Sequence, residues 1–551
     1  MFDWLDVVGR VKIDNYDNRS TYKAYASTGT LVSGDRGTYS DTSTQSKNTY
    51  ADAITTLNKS FNDWSVNVNL GVSLSDSRYE MIGYEGGLKL INFFAVHNID
   101  FNKAWKAKQS GWHDQTRAIF ANAEIGWKSM IYLTATGRND WDSRLAFSDY
   151  KSFFYPSIGL SAILTSMFNA PDWLTYLKVR GSYTEVGNSY GRFMTTVTYP
   201  YDEQTQSWTS TSSYPNTKLK PERTDSWEIG VDGTFFKDFK VSGSFYYANT
   251  YNQTFDPKIT VSSGYSTLYV QTGYVRNLGV EGLLSYGHTW RDFGWNSNFT
   301  FSWNKNKIVE LVKDYVHPET GEIVNKDRLE LKGLGYTKFI LKEGGTLGDL
   351  YTNADFIRDD KGYIQIDKNG DVAKTDNLPD IKLGSVFPKA NLAWNNSFSY
   401  KGIYAGFQLS ARLGGIVYSA TQAALDQYGV SEASAAARDR GGVLVNGRSW
   451  VNAQQYYEIV ATSSGLPQYY TYSATNLRLQ EAHIGYPIPR KWLGNICDIN
   501  VSVVGRNLWM IYCKAPFDPE AIATTSNFYQ GIDYFMMPST RNFGFNVKIN
   551  F

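Results

Sequence analysis

Apolar and polar residues alternate along this chain in discrete blocks. The last residues, RNFGFNVKINF (541–551), put Phe543, Phe545, Val547, Ile549 and Phe551 on one face. Asn542, Gly544, Asn546, Lys548 and Asn550 take the other. WSVNVNLGVSLS (64–75) sets Trp64, Val66, Val68, Leu70, Val72 and Leu74 against Ser65, Asn67, Asn69, Ser73 and Ser75. WNSNFTFSWN (295–304), FKVSGSFYY (239–247) and INVSVVGRN (499–507) repeat the pattern. A period of two sorts side chains onto opposite faces of a strand. The pattern predicts an all-β chain.

About sixteen such segments are predicted, near 4–14, 49–60, 64–75, 114–127, 130–138, 153–165, 176–185, 223–236, 239–251, 275–289, 293–304, 388–400, 403–413, 475–486, 497–511 and 540–551. Most exceed the ~5–6 residues typical of soluble strands and match the ~9–11 that a membrane-spanning strand needs. The links alternate in length. Those after odd-numbered strands run roughly 34, 38, 14, 37, 23, 83, 61 and 28 residues, and those after even-numbered strands roughly 2 to 10. The short links carry turn residues, as in FND (61–63), FKD (236–238), RDF (291–293) and YKG (400–402). A soluble sandwich or propeller gives no reason for every second link to be long. A transmembrane antiparallel up-and-down β-barrel does, with long extracellular loops and short periplasmic turns. In lipid an unpaired backbone group costs several kcal/mol, so strands span only as a barrel. The apolar row then faces lipid and the Asn/Ser/Thr row a wet lumen, with aromatic girdles at both interfaces.

Composition agrees. Aromatic residues make up 16% of the chain, with 40 Tyr and 47 Gly, a strand-and-turn usage. No run approaches the ~20 apolar residues of a spanning helix, which excludes a helical membrane protein only. The net charge of +1 gives no field for nucleic acid. Cys497 and Cys513 flank one predicted strand. Extended chain would hold them ~50 Å apart, so two free thiols are expected.

Several stretches, in order, resemble the SusC/RagA family of TonB-dependent outer-membrane transporters. They are YLTATGRNDWDS (132–143), YPSIGLS (155–161), LKVRGSYTEVGN (177–188), LKPERTDSWEIGVDGTFF (219–236) and VRNLGVEG (275–282). TNLRLQEAHIGYPIPRKW (475–492) and VSVVGRNLWMI with APFDPE (501–520) continue the series. The resemblance implies a 22-stranded barrel around an N-terminal plug, coupling to TonB through that plug, and a SusD-like lipoprotein lid. It implies active import of oligosaccharides, or of peptides, and no enzyme activity or cofactor. It also makes the terminal Phe551, with Ile549 and Val547, the signal read by the barrel-insertion machinery. The opening MFDWLDVVGRVKID already reads as a strand and not as a secretory signal. The expectation is a single partial barrel over 1–551, without plug, TonB box or about six of the family's strands. Such a chain would have open edges at 4–14 and 540–551 and would not transport alone. The competing readings are a siderophore-type TonB-dependent receptor and a passive porin or adhesin barrel.

Candidate chemistry is sparse. DKNGDVAKTDN (367–377) places Asp367, Asn369 and Asp371 like calcium ligands, but Val372 and Leu378 stand where that loop needs Gly and Glu. A solvated Asn-Gly turn explains it more simply, and no metal is assigned. Asp140 and Asp142 offer the pair of carboxylates a glycosidase needs, but a rim Arg/Asp network is the favoured reading, and no catalytic residue is assigned. SEASAAARDRGG (431–442) predicts a helix capped by Ser431, with Arg438 and Arg440 near its C-terminal end and Gly441 after it. In an outer loop, these residues are candidates for docking the lipoprotein lid. Loop aromatics Trp105, Trp112, Tyr201, Trp208, Tyr214, Tyr428 and Trp450 are candidates for stacking on sugar rings.

Overall fold

The computed structural model describes residues 3–29, 33–103, 105–199, 201–202, 207–209, 211–255, 265, 267–316, 321, 323–494, 496–525 and 530–550. One antiparallel sheet of sixteen strands organises the chain, and each strand pairs with its sequence neighbours in that sheet. The strands are β1 (Leu5–Ala24), β2 (Thr38–Phe61), β3 (Trp64–Gly87), β4 (Trp105–Trp127), β5 (Ile131–Asp142), β6 (Phe153–Ile163), β7 (Leu174–Asn188) and β8 (Glu222–Phe235). They continue with β9 (Phe239–Phe255), β10 (Val270–Trp290), β11 (Phe293–Glu310), β12 (Ala390–Tyr400), β13 (Ile403–Leu413), β14 (Asn476–Ile488), β15 (Asp498–Cys513) and β16 (Asn542–Asn550). β1 and β16 form the two ends of the sheet and do not pair with one another. Cys497 and Cys513 are both free thiols. Phe551 lies outside the described residues, while Ile549 and Val547 pair with Ile499 and Val501 of β15.

The two faces of the sheet differ in chemistry. Leu70 and Val72 of β3, Ile119 of β4, Leu133 of β5, Ile158 and Leu160 of β6 and Ile229 of β8 are exposed on one face. A patch this large is not tolerated in water; in a membrane it is the lipid-facing band. The opposite face is hydrogen-bonded. Thr56 Oγ1 donates to Asn69 Oδ1 (2.7 Å), and Asn69 Nδ2 donates to Asn67 Oδ1 (2.8 Å). Arg10 forks onto Asp52 (3.0 and 2.9 Å). Arg180 reaches Asp232 (2.7 Å), which also accepts from Ser242.

At the periplasmic ends the outward row is aromatic, as the girdle expectation requires. Trp173 stacks on Phe235, Trp290 on Phe293, and Trp295 on Phe398, with centroids 6.0, 5.9 and 6.5 Å apart. These rings flank the turns at 236–238 and 291–292, where Phe236, Lys237 and Arg291 have positive φ. The indole N–H groups find outward-facing partners: Trp394 Nε1 donates to Ser297 Oγ (2.8 Å) and Trp295 Nε1 to Asn396 Oδ1 (3.1 Å).

The strand boundaries need correction on the outer side. Expected strands at 4–14, 49–60, 64–75 and 114–127 continue outward to Ala24, Thr38, Gly87 and Trp105. The added part of β2, TYSDTSTQSKN (38–48), has no apolar row. Apart from Tyr39, which packs on Leu88 and Ile99, no apolar layer covers either face, so nothing imposes an alternation, and backbone pairing extends the strand.

The buried apolar clusters lie mainly at the extracellular side. The largest joins residues of 331–387, 416–470 and Ile532, hence of three outer loops. A second joins Phe255, Leu268 and Val270 to Ile308, Leu311 and Leu341. Within these loops Arg328–Lys332, Lys338–Lys342, Asp349–Thr352 and Ile381–Ser385 form a four-stranded sheet. Three short helices follow: α1 (Ala420–Gln427), α2 (Glu432–Asp439) and α3 (Ala453–Val460). α2 is the expected helix; α1 and α3 were not expected.

Candidate functional site

The extracellular side carries the built features. Ile416–Ser419 and Thr471–Ser473 pair as antiparallel strands, and Ile532–Asp533 adds in parallel. Buried Ser419 donates to Asp533 Oδ2 (2.6 Å) while accepting from Gln422 N to cap α1. Gly531 has φ +68°, and a Cβ there would lie 2.6 Å from Val386. The close approach that joins two loops therefore requires glycine. Lys374 Nζ donates to the carbonyls of Ile459 (3.2 Å) and Ser464, clasping a third segment. Burial lowers the pKa of Lys374.

Tyr418 and Tyr470 of this module are buried, and Tyr456 packs half-buried against their cluster. Tyr470 donates to Asp426 Oδ2 (3.0 Å). Burial, then the charge of Asp426, pushes the Tyr470 pKa far up. Burial raises Tyr418 and Tyr456 to about 12. All three phenols stay neutral across any physiological pH, and Tyr470 pins the module through its bond to Asp426.

The last outer loop is locked to the barrel rim. Arg478 of β14 forks onto Asp518 (2.8 and 3.1 Å), with both side chains nearly buried. Burial opposes ionisation of Asp518, but hydrogen bonds from Arg478 and from Glu520 N leave its pKa below the usual carboxylate value.

Asp140 and Asp142 belong to rim networks. Arg138 donates to Asp140 (2.7 Å), and Tyr155 adds its hydroxyl (3.0 Å). Asp142 accepts from Arg144 and from Ser189 Oγ (2.9 Å) and caps the turn that follows. Both carboxylates are held by cations. The loop at Asp367 closes as a turn: Asp367 Oδ1 accepts from Asn369 N (2.8 Å) and Asp371 N (3.0 Å), and Gly370 is left-handed. Among the described residues no group of three His, Cys, Asp or Glu is placed to hold a metal.

The aromatic candidates divide. Tyr201 and Trp208 face each other across a two-residue ladder, rings 5.1 Å apart, with Trp208 70% exposed. Trp450 sits exposed on the hairpin of Val443–Val445 and Ser449–Val451. Tyr428 ends α1 and is 76% exposed. Tyr214 instead packs against the second buried cluster and against Tyr265. Trp105 and Trp112 lie on β4, not in a loop. Trp112 stacks on Tyr79 (5.8 Å) beneath the Arg192 guanidinium (3.6 Å), which also pairs with Asp114. Ser431 is buried as the cap of α2, accepting from Ser434 N (3.0 Å). Arg438 donates to Gly429 O (2.7 Å), and Arg440 to Ala436 O (3.1 Å).

A cleft of 370 Å³ lies between α1, α2 and α3. It unites Tyr428 and Arg438 with Asp426, Gln454, Tyr457 and Glu458. The last four carry no sequence signal. The caps of α1 and α3, Ser419 and Asn452, were readable and would have placed the walls.

A family model for the TonB dependent receptor-like beta-barrel matches residues 2–508. The chain belongs to this family. It is a SusC/RagA-like TonB-dependent receptor barrel of the bacterial outer membrane, from a family of transporters and not of enzymes. TonB-dependent receptor P3 of Formosa agariphila is 24% identical over 540 residues, which cover 91% of this chain and 52% of P3. SusC of Bacteroides thetaiotaomicron is 24% identical over 273 residues, 47% of this chain and 24% of SusC. The receptor barrel shares its fold with the RagAB peptide importer in its open-open state. That likeness covers 100% of this chain and 60% of the other, with a TM-score of 0.78 and 16% identity. The chain thus spans about half the length of P3.

Proposed function

We propose that this barrel forms the wall and outer loops of an energised importer of oligosaccharides. The importer works with a SusD-like lipoprotein on its outer face, and TonB drives it through a plug that the whole receptor would provide. Family membership supports import as the activity. The observation that carries the substrate class is the set of exposed rings on the extracellular loops: Tyr201, Trp208, Tyr428 and Trp450. The C–H faces of sugar rings stack on such aromatic planes, and the hydrogen-bonding lumen below suits hydroxyl-rich solutes. In this reading the exposed Arg440 is the remaining docking candidate for the lipoprotein, since Ser431 is buried in its cap and Arg438 faces the cleft.

Uptake by cells tests the reading. Cells carrying the intact gene are expected to accumulate a labelled oligosaccharide of the class they grow on, and to lose that uptake on gene deletion or with a protonophore. Oligosaccharide uptake indifferent to deletion, or deletion that removes only peptide uptake, contradicts it.

A further inference from the structure

The cleft between the three outer helices is built from side chains with fixed roles. Asp426 forms the floor: its two carboxylate oxygens accept from Tyr470 OH (3.0 Å) and Gln422 Nε2 (3.1 Å), and it is buried. Glu458 accepts from Gln454 Nε2 (2.8 Å) through one oxygen, leaving its second oxygen to a ligand. Arg438 is held by Gly429 O through one guanidinium nitrogen, and its other N–H groups remain to donate. Gly429 has φ +69°, and a Cβ there would sit 2.7 Å from Arg438 Nη1. The left-handed turn after α1 therefore favours glycine, and its missing Cβ leaves room for the guanidinium. Tyr428 presents an exposed ring at the edge.

We infer that this cleft is a saccharide subsite: one sugar ring stacks on Tyr428 while its hydroxyls bond to Glu458, Gln454 and Arg438. This inference rests on the oligosaccharide reading above and gives it an address. Its volume falls within the ~300–1,000 Å³ of small-molecule sites. The chemistry discriminates among ligand classes. Two carboxylates against one guanidinium repel acidic ligands. Among the described residues Ala453 is the only aliphatic one that lines the cleft, which gives an apolar peptide side chain no socket there. Planar carboxylate, amide and guanidinium groups bridge vicinal hydroxyls, which a saccharide supplies in pairs.

The test measures binding by the intact protein, purified from outer membranes, to an array of neutral oligosaccharides and to a mixed peptide library. Affinity for the bound oligosaccharide is expected to fall at least tenfold in Tyr428→Ala and in Glu458→Gln. Tyr428→Phe should retain it, and Lys361→Ala, in a remote turn, should leave it unchanged. Glu458→Gln keeps its contact with Gln454, and Tyr428 is exposed, so neither variant threatens folding. Oligosaccharide binding that both variants leave intact overturns the subsite while sparing the import reading. Binding of peptides only, whether or not the variants weaken it, overturns the saccharide class, and that reading falls with it. An array on which no oligosaccharide binds likewise overturns the inference.

Discussion

The Arg478 guanidinium of β14 holds the Asp518 carboxylate of the last outer loop through two hydrogen bonds, at 2.8 and 3.1 Å. Neither side chain is more than 8% exposed. Asp518→Asn keeps the shape and removes the charge, leaving Glu520, 3.4 Å away, as the carboxylate facing the cation. Breaking a buried pair costs about 3–5 kcal/mol. The loss should show as faster amide hydrogen exchange over residues 514–541, with β14 and β15 unchanged.

The same pair sets a pH response. The Asp518 pKa lies below its ordinary value of 3.8. A depressed folded pKa means the stabilisation is complete above the ordinary value and is lost as pH falls through the folded one. Exchange over 514–541 in the native protein should therefore be flat from pH 7 down to about 4 and accelerate below that, beyond the intrinsic pH effect. In Asp518→Asn the extra acceleration should be absent.

The extracellular core makes a separate prediction. Phe339 and Leu466 are 1% exposed, in different loops, and belong to one cluster. Phe339→Ala should cost about 3–5 kcal/mol by leaving a cavity. That loss falls on the loop module and not on the lipid-facing sheet. Trypsin should then cut within outer-loop residues 353–389 or 414–466 in intact cells, while the heat-modifiable gel mobility of the barrel persists.

Trp208 and Tyr214 should behave differently when truncated. Trp208 is exposed and touches Tyr201, so Trp208→Ala should weaken oligosaccharide binding several-fold and leave loop stability unchanged. Tyr214 packs on a buried cluster, so Tyr214→Ala should raise protease sensitivity of the outer loops first. Equal binding losses without any change in proteolysis would contradict this division.

The spanning parts of the strands were legible because lipid imposes an apolar row on one face and a wet lumen a polar row on the other. Trp64 to Leu74 shows both. Outward of Ser75 the same strand continues to Gly87 with Asp76, Arg78 and Glu80 in it. No solvent difference sorts those residues, and the sequence falls silent. The loop module was illegible for another reason. Phe339, Val451 and Ile532 meet across long stretches of chain, and such contacts leave no local period. All three outer helices span eight residues, too short for a repeat to stand out; α2 was legible only through its Ser431 cap and run of alanines. The cleft inherits both difficulties: Tyr428 and Arg438 stood out singly, whereas Asp426 and Glu458 gained meaning only beside them.

Everything rests on which row of the sheet meets lipid. Single cysteines placed at each position from 64 to 75 of β3, in a Cys497→Ser, Cys513→Ser background, measure it through spin-label accessibility in outer-membrane vesicles. Labels at Val66, Val68, Leu70 and Val72 should be relaxed by oxygen, which partitions into lipid. Those at Asn67, Asn69, Ser73 and Ser75 should respond to a water-soluble nickel chelate instead. That period of two is the expected result; an accessibility profile without it, or with the rows exchanged, would contradict a membrane-spanning barrel with a wet lumen.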